Sequence, residues 1–375
     1  MKDDTIGYGL IGCGGFGRFC LAEYGKMPEL RRVAVTDRDP ALLRSTAEEF
    51  GMEAYGDAAG LLSHPGIDVV HLATPPSTHA ALAMQALQAG KHVLCEKPLA
   101  LTDSDAWAMV AMAKAEGRVL AVNLIMRYNP LCEAVRRLVE SNLLGEPLYA
   151  TLVNAAQDER LPSGHWFWEP ASSGGIFIEH GVHFFDLFEW WFGPGKVVSA
   201  LQLRRPGSGI VDQVQCSVRY GASTLGTFYH GFHQMHRRDR QTWLIVFETG
   251  SVSLDGWVPT ELVIDMHGTR QELEDAASLV AGSTLRILES YGDCEQTSTS
   301  RHRGRKVEAH GRISADAGCP KLELYGRILR ALMADQIEAI RDPGHIRRVT
   351  ESNGISSLAY AVRAQELASA AEKGK

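Results

Sequence analysis

Apolar positions in the first third of the chain cluster into short runs, separated by stretches with helical spacing. Residues 6–11, 31–36, 67–73, 91–95 and 118–122 read as buried strands. Between them, about 18–27, 40–50, 78–89 and 103–116 carry apolar residues at the helical period, with Pro40 at one helix start and Gly90 just past another helix end. Strands alternating with helices of this length predict a parallel sheet covered on both faces. Such sheets bind ligands at the carboxyl ends of their strands. The turns at 12–17, 37–38, 74–79 and 96–98 all fall on that edge.

After about residue 125 the pattern changes. Residues 130–141 read as a helix, and 147–154, 197–204, 212–220, 223–231, 241–248, 251–255 and 261–265 as strands joined by short turns. Consecutive strands predict a largely antiparallel sheet. Two helices, about 320–341 and 350–372, close the chain. Residues 270–316 are polar and have no readable period; within them Arg301-His302-Arg303-Gly304-Arg305-Lys306 reads as a solvated loop rather than a site for an anionic ligand. The fold class is therefore α/β, a parallel doubly wound sheet of Rossmann type over 1–125, followed by an α+β domain over 126–375 with a mostly antiparallel sheet.

Composition narrows the function without choosing it. A length of 375 residues suits two domains, and 45% hydrophobic residues argue against disorder. The net charge of −7 gives no reason to expect nucleic acid or an anionic membrane as partner. No apolar run reaches the roughly 18 residues a membrane span needs. Met1-Lys2-Asp3-Asp4 leads straight into a strand and does not read as a secretory signal. Seven cysteines, at 13, 20, 95, 132, 216, 294 and 319, form no CxxC pair, which fits reduced thiols in a cytoplasmic protein.

The turn Gly12-Cys13-Gly14-Gly15-Phe16-Gly17 carries the first chemistry. It follows a strand, opens a helix, and has Asp37 twenty positions beyond Gly17, at the end of the next strand. Gly12 allows the tight turn, Gly14 the approach of a pyrophosphate, and Gly17 close packing of helix on strand. The helix N-terminus offers free N–H groups to phosphate. Asp37 is placed to accept from the adenosine ribose hydroxyls, and its charge repels a 2′-phosphate, favouring NAD over NADP; Arg38 beside it offsets part of that repulsion.

Further turns complete an ordered set. The glycine turn, Thr74-Pro75-Pro76 followed by His79, Glu96-Lys97-Pro98, Arg127-Tyr128-Asn129-Pro130, and the segment Ser173-Gly174-Gly175 through Gly181, His183 and Asp186 together resemble the glucose–fructose oxidoreductase / inositol dehydrogenase (Gfo/Idh/MocA) family over nearly the whole chain. The resemblance implies an open C-terminal sheet through which members associate as dimers or tetramers. It implies that Thr74, Pro75, His79, Glu96 and Lys97 lie along the nicotinamide half of the cofactor, with the Lys97-Pro98 bond often cis. It also implies NAD-dependent oxidation or reduction of a secondary hydroxyl or ketone on a sugar, sugar derivative or cyclitol.

Oxidising an alcohol needs a proton acceptor beside the departing hydride. His183 suits that task, and Lys97 can hold the same oxygen and stabilise its alkoxide character. On a regular helix Glu179, His183 and Asp186 share one face. Glu179 is the third candidate catalytic residue, placed to steer Lys97 or contact substrate; the family usually has aspartate there, and Glu179 reaches one methylene further. Asp186 reads as a residue that orients His183 or supports structure, and it is also a candidate substrate contact. Trp168, in His165-Trp166-Phe167-Trp168, could face a sugar ring or cover a domain junction; Trp190 and Trp191 read as core. Asn123 and Arg127, at the end of the last parallel strand, are candidate substrate contacts. No metal is expected: a hydride mechanism needs none from His180, His183 and Asp186, and a strand puts His230 and His233, near His236, on opposite faces. Two rival readings are an NAD-assisted glycosidase of the same family and a non-catalytic nucleotide-binding sensor.

Overall fold

A computed structural model describes residues 5–158, 161–235, 237–291, 296–301 and 303–373. His236, Cys294, His302 and the first four residues lie outside the described residues. The chain divides into two units, the first made of Met1–Ile125, Gly164–His183 and Gly326–Val362, the second of Met126–Ser163, Phe184–Tyr325 and Arg363–Lys375. The sequence pattern placed one boundary after residue 125. Segments 164–183 and 326–362 instead return to the first unit, a contact pattern that hydrophobic period cannot reveal.

The first unit holds six parallel strands: β1 (Ile6–Ile11), β2 (Leu30–Thr36), β3 (Glu53–Tyr55), β4 (Val69–Leu72), β5 (His92–Cys95) and β6 (Leu120–Val122), in the order β3-β2-β1-β4-β5-β6. The helices are α1 (Gly15–Tyr24), α2 (Pro40–Phe50), α3 (Ala58–Leu62), α4 (His79–Gln88) and α5 (Asp103–Ala115). The short β3 and α3 were not legible in the sequence, being too brief to establish a period. Local signals do set several boundaries. Asp39 caps α2 through the amides of Ala41 and Leu42, with Pro40 in the first turn, and Thr102 caps α5 through Asp105. The strands are buried on both faces, as a doubly covered sheet requires. The late segment closes on this sheet: Arg347 donates to the Leu120 carbonyl at 2.9 Å, Arg330 pairs with the buried Glu23, and Gly354 lies against Val122 and Leu99.

The second unit is built on β7 (Pro147–Gln157), β8 (Gly195–Arg204), β9 (Val211–Tyr220), β10 (Thr224–Gln234), β11 (Arg240–Phe247), β12 (Gly250–Asp255), β13 (Glu261–Gly268), β14 (Thr284–Ser290), β15 (Gln296–Ser300), β16 (Arg303–Val307) and β17 (Ala309–Asp316). Nine of them form one sheet, β14-β17-β13-β12-β11-β7-β10-β9-β8. It is antiparallel except for the β7–β10 pair, which is parallel. Alternation along β9 and β11 buries one face, where Phe184, Phe185 and Phe188 meet Phe228 and Trp243 at centroid distances of 4.5–5.1 Å. Trp191 is buried there and donates to the Cys132 carbonyl, whereas Trp190 is half-buried against the guanidinium groups of Arg127 and Arg136. Residues 270–316 resolve into a helix (Arg270–Ser278), β14, the β15–β16 hairpin and β17. Arg303 to Lys306 of the basic run therefore lie on β16, with Arg301 in a turn before it. Its side chains face acids: Arg301 meets Glu146, Arg305 meets Glu248 and Lys306 meets Glu308.

Candidate active site

The glycine turn has the shape a phosphate cradle needs. Gly12 has φ +104°, and a Cβ there would lie 2.4 Å from the Ala73 carbonyl oxygen. At Gly17 a Cβ would lie 2.2 Å from the Gly12 carbonyl oxygen. Gly14 and Gly15 differ: added Cβ atoms would meet nothing within 4 Å. The first two glycines are thus required by the fold, and the next two border open space at the N-terminus of α1. No side chain caps that terminus and no acid stands in its first turn, so its amides can serve an anion.

Cys13 is buried, with its thiol near the Thr36 carbonyl and its pKa pushed up to about 11 by burial and then by Asp37. Phe16 is half-buried. Asp37 Oδ2 accepts from the Cys13 amide at 2.7 Å and Oδ1 from the Asp39 amide at 2.8 Å. Each oxygen keeps acceptor capacity for a ribose hydroxyl. Arg38 is exposed. The open glycines, uncapped amides and anchored carboxylate fit a dinucleotide.

The turns at 74–79 and 96–98 are joined by His79. Its Nδ1 faces the Pro98 carbonyl oxygen at 2.8 Å and its Nε2 the Thr74 carbonyl oxygen at 2.9 Å. Burial lowers its pKa, opposed by those two carbonyls. His79 is fully buried and so acts as a strut between the turns. Thr78 ties Thr74 to the Pro75 carbonyl, and the Lys97-Pro98 bond is cis. Glu96 Oε1 accepts from His71 Nε2 at 2.9 Å and Asn123 Nδ2 at 2.6 Å. Asn123 is thus engaged with Glu96.

Segment 164–183 brings the remaining groups to this unit. Its one-turn helix Pro170–Ser173 packs on the turn Pro76–Thr78. The expected regular helix is interrupted: Phe177–Gly181 forms a π turn before helix Val182–Phe192. Such wide turns re-aim side chains and recur at functional sites. Lys97 Nζ donates to the Glu179 carbonyl oxygen at 2.9 Å and to Glu179 Oε1 at 2.5 Å. Glu179 therefore holds Lys97 by backbone and side chain together. His183 is buried, and its pKa is held well below 6.5 by burial first, then by Lys97 and His180. His180 is lowered to about 3, by burial and then by Lys97. Trp168 is half-buried, its ring edge-on to Phe167 at 4.8 Å.

In the second unit Arg127 forms a two-pronged pair with Asp186, at 2.7–3.1 Å, both buried. Asp186 is thereby occupied with Arg127, a partner whose sequence distance hid it. Burial raises the Asp186 pKa and Arg127 opposes the rise. His230 is buried against Phe184 while His233 is exposed and touches the Tyr229 hydroxyl, on the other face of β10. Among the described residues, the side chains that gather metal-type donors are Cys20, His71 and Glu96.

The family model described as oxidoreductase family, NAD-binding Rossmann fold matches residues 6–124, and the GFO/IDH/MocA C-terminal domain model matches 132–253. A D-apiose dehydrogenase of Paraburkholderia graminis is 35% identical over 187 residues, 49% of each chain, so this chain spans about half the length of that relative. A dTDP-3,4-didehydro-2,6-dideoxy-alpha-D-glucose 3-reductase of Saccharopolyspora spinosa is 30% identical over 237 residues, 63% of this chain and 71% of the reductase. The solved structure of a levoglucosan dehydrogenase in complex with NADH and L-sorbose has a TM-score of 0.76 at 21% identity, covering 98% of this chain and 97% of that one, which establishes a shared fold.

Proposed function

Because the chain belongs to the Gfo/Idh/MocA oxidoreductase family, we propose that it is an NAD-dependent dehydrogenase or reductase acting on a secondary hydroxyl or ketone of a sugar, sugar derivative or cyclitol. The observation that carries the reading is the Lys97–Glu179 pair beside a neutral, buried His183, in the same unit as the glycine turn. Bound NAD supplies the hydride acceptor. Gly14, Gly15 and the first amides of α1 hold the pyrophosphate, and Asp37 holds the adenosine ribose and disfavours a 2′-phosphate. Thr74, Pro75, Glu96 and Lys97 line the nicotinamide half, with His79 fixing the two turns to each other.

In the oxidation direction Lys97 donates to the substrate oxygen and stabilises its growing negative charge. A ring nitrogen of His183 takes the hydroxyl proton, because burial keeps the ring unprotonated and ready to accept. Glu179 keeps Lys97 in place, a role the longer side chain performs in concert with its own carbonyl. Trp168 offers an aromatic face to the substrate ring. Assembly as a homodimer or homotetramer through the outer face of the nine-stranded sheet is part of the proposal, and the exposed Tyr149, Val153, Leu225 and Leu244 there are the observation behind it. No helix among the described residues is long and apolar enough to cross a membrane. A cytoplasmic location is part of the proposal and rests on cysteines that form no CxxC pair. The relatives named above are dehydrogenases and reductases, so neither a glycosidase nor a sensor gains support from them.

The test is a panel of sugars, sugar acids and inositols assayed for NAD reduction by absorbance of NADH. Turnover of at least one hydroxyl compound is the expected result. Tight NAD binding with no turnover on any polyol or sugar, in either direction, would refute the enzymatic reading.

A further inference from the structure

A buried polar chain crosses the parallel sheet. Tyr8 on β1 reaches His71 on β4, His71 reaches Glu96 at the end of β5, and Asn123 at the end of β6 reaches the same carboxylate. These four strands are neighbours in the sheet. Tyr8, His71 and Asn123 are 0–2% exposed and Glu96 8%. Interior positions of parallel strands are normally apolar, and burying polar groups is costly unless each is satisfied. Tyr8, His71 and Glu96 form a continuous hydrogen-bonded run.

The proton positions follow from the chemistry of the partners. Burial raises the Tyr8 pKa well above 10, so the hydroxyl stays protonated and donates to His71 Nδ1 across 2.8 Å. Nε2 then donates its N–H to Glu96 Oε1, since a carboxylate only accepts. Cys20 shares the cluster, but burial raises its pKa well above 9, so it is a thiol rather than a thiolate metal ligand. Two donors thus converge on Oε1. They fix the carboxylate plane and leave Oε2 as acceptor for a ligand.

We propose that Tyr8 and His71 are positioning residues for the cofactor: they hold the Glu96 carboxylate so that Oε2 accepts from a hydroxyl or amide N–H on the nicotinamide half of the dinucleotide. The inference rests on the reading that NAD lies along the 96–98 turn. The test measures dissociation constants for NAD and for ADP, which lacks the nicotinamide half, by calorimetry on folded protein, alongside melting temperatures. His71→Leu should weaken NAD about tenfold, the scale of a lost hydrogen bond to a charged group, while ADP binding stays unchanged. His71→Gln, which retains a donor near the Nε2 position, should recover most of the affinity. Tyr8→Phe, which leaves the ring but frees its orientation, should cost about threefold for NAD alone.

Equal loss of NAD and ADP affinity in His71→Leu, or wild-type NAD affinity in both His71→Leu and Tyr8→Phe, overturns the positioning role. If His71→Leu does not fold, the Tyr8→Phe and His71→Gln pair decides by the same comparison. A wild-type protein that binds neither NAD nor ADP overturns the cofactor reading itself, and with it this inference.

Discussion

Lys97 is gripped twice by one residue, through the carbonyl and the carboxylate of Glu179. A grip of that kind sets where the ammonium can reach, and small misplacements near a reacting centre cost up to about 100-fold in rate. Lys97→Ala and His183→Ala should each lower kcat by about 100-fold or more while NAD still binds, because each removes a group proposed to handle the proton or stabilise charge and leaves the glycine turn intact. Turnover and NAD affinity measured side by side check this; near-wild-type turnover in either variant sinks the assigned role. Asp37 is proposed to act at the other end of the cofactor. Asp37→Ser should raise KM for NAD and narrow the preference over NADP, and unchanged cofactor kinetics would contradict its contact with the ribose. At this scale the residue types were legible in the sequence. Their partners were not: Arg127 and Asp186, or Tyr8 and His71, lie dozens of positions apart and meet only after folding.

At the scale of elements, the β1–α1 turn separates the demands of fold and ligand. Gly12 and Gly17 face backbone carbonyls too closely for any Cβ, whereas Gly14 faces open space. Gly12→Ala should lose about 3 kcal/mol of unfolding free energy, from a positive φ and a backbone clash together. Gly14→Ala should stay within about 0.5 kcal/mol of wild type yet bind NAD less tightly, since its Cβ would occupy the space a pyrophosphate needs. Urea unfolding and NAD titration of the two variants separate these outcomes, and equal destabilisation would contradict the division. The π turn at Phe177–Gly181 belongs to this scale as well. Helical spacing alone put Glu179 and His183 on one regular face; the wide turn changes that geometry, and no residue type announces it.

For the whole molecule, several buried or half-buried histidines resist protonation. His92 is lowered to about 4 and His180 to about 3, with His79 and His183 also lowered, burial being the largest cause in each. Unfolding returns each to about 6.5. Between those values the unfolded chain binds more protons, so the stability these groups contribute is complete above about pH 6.5 and is lost as the pH falls toward 4 and below. Unfolding free energy should therefore be lower at pH 5 than at pH 7.5; equal or greater stability at pH 5 would show that other groups dominate.

Alternating strands and helices, the glycine turn and Asp37 were readable directly because each depends on local geometry: the strand period, the demand for a missing Cβ, and a fixed spacing to the next strand end. The sequence by itself therefore determined the parallel sheet, its strand-end turns and the residue types, Lys97 and His183 among them, on which the proposed chemistry rests. Tertiary structure alone decided that residues 164–183 and 326–362 join the first unit, that Glu179 grips Lys97, and that Arg127 is spent on Asp186. Those outcomes rest on contacts between residues far apart in the chain, which depend on how the sheets and segments pack and leave no period or motif to read.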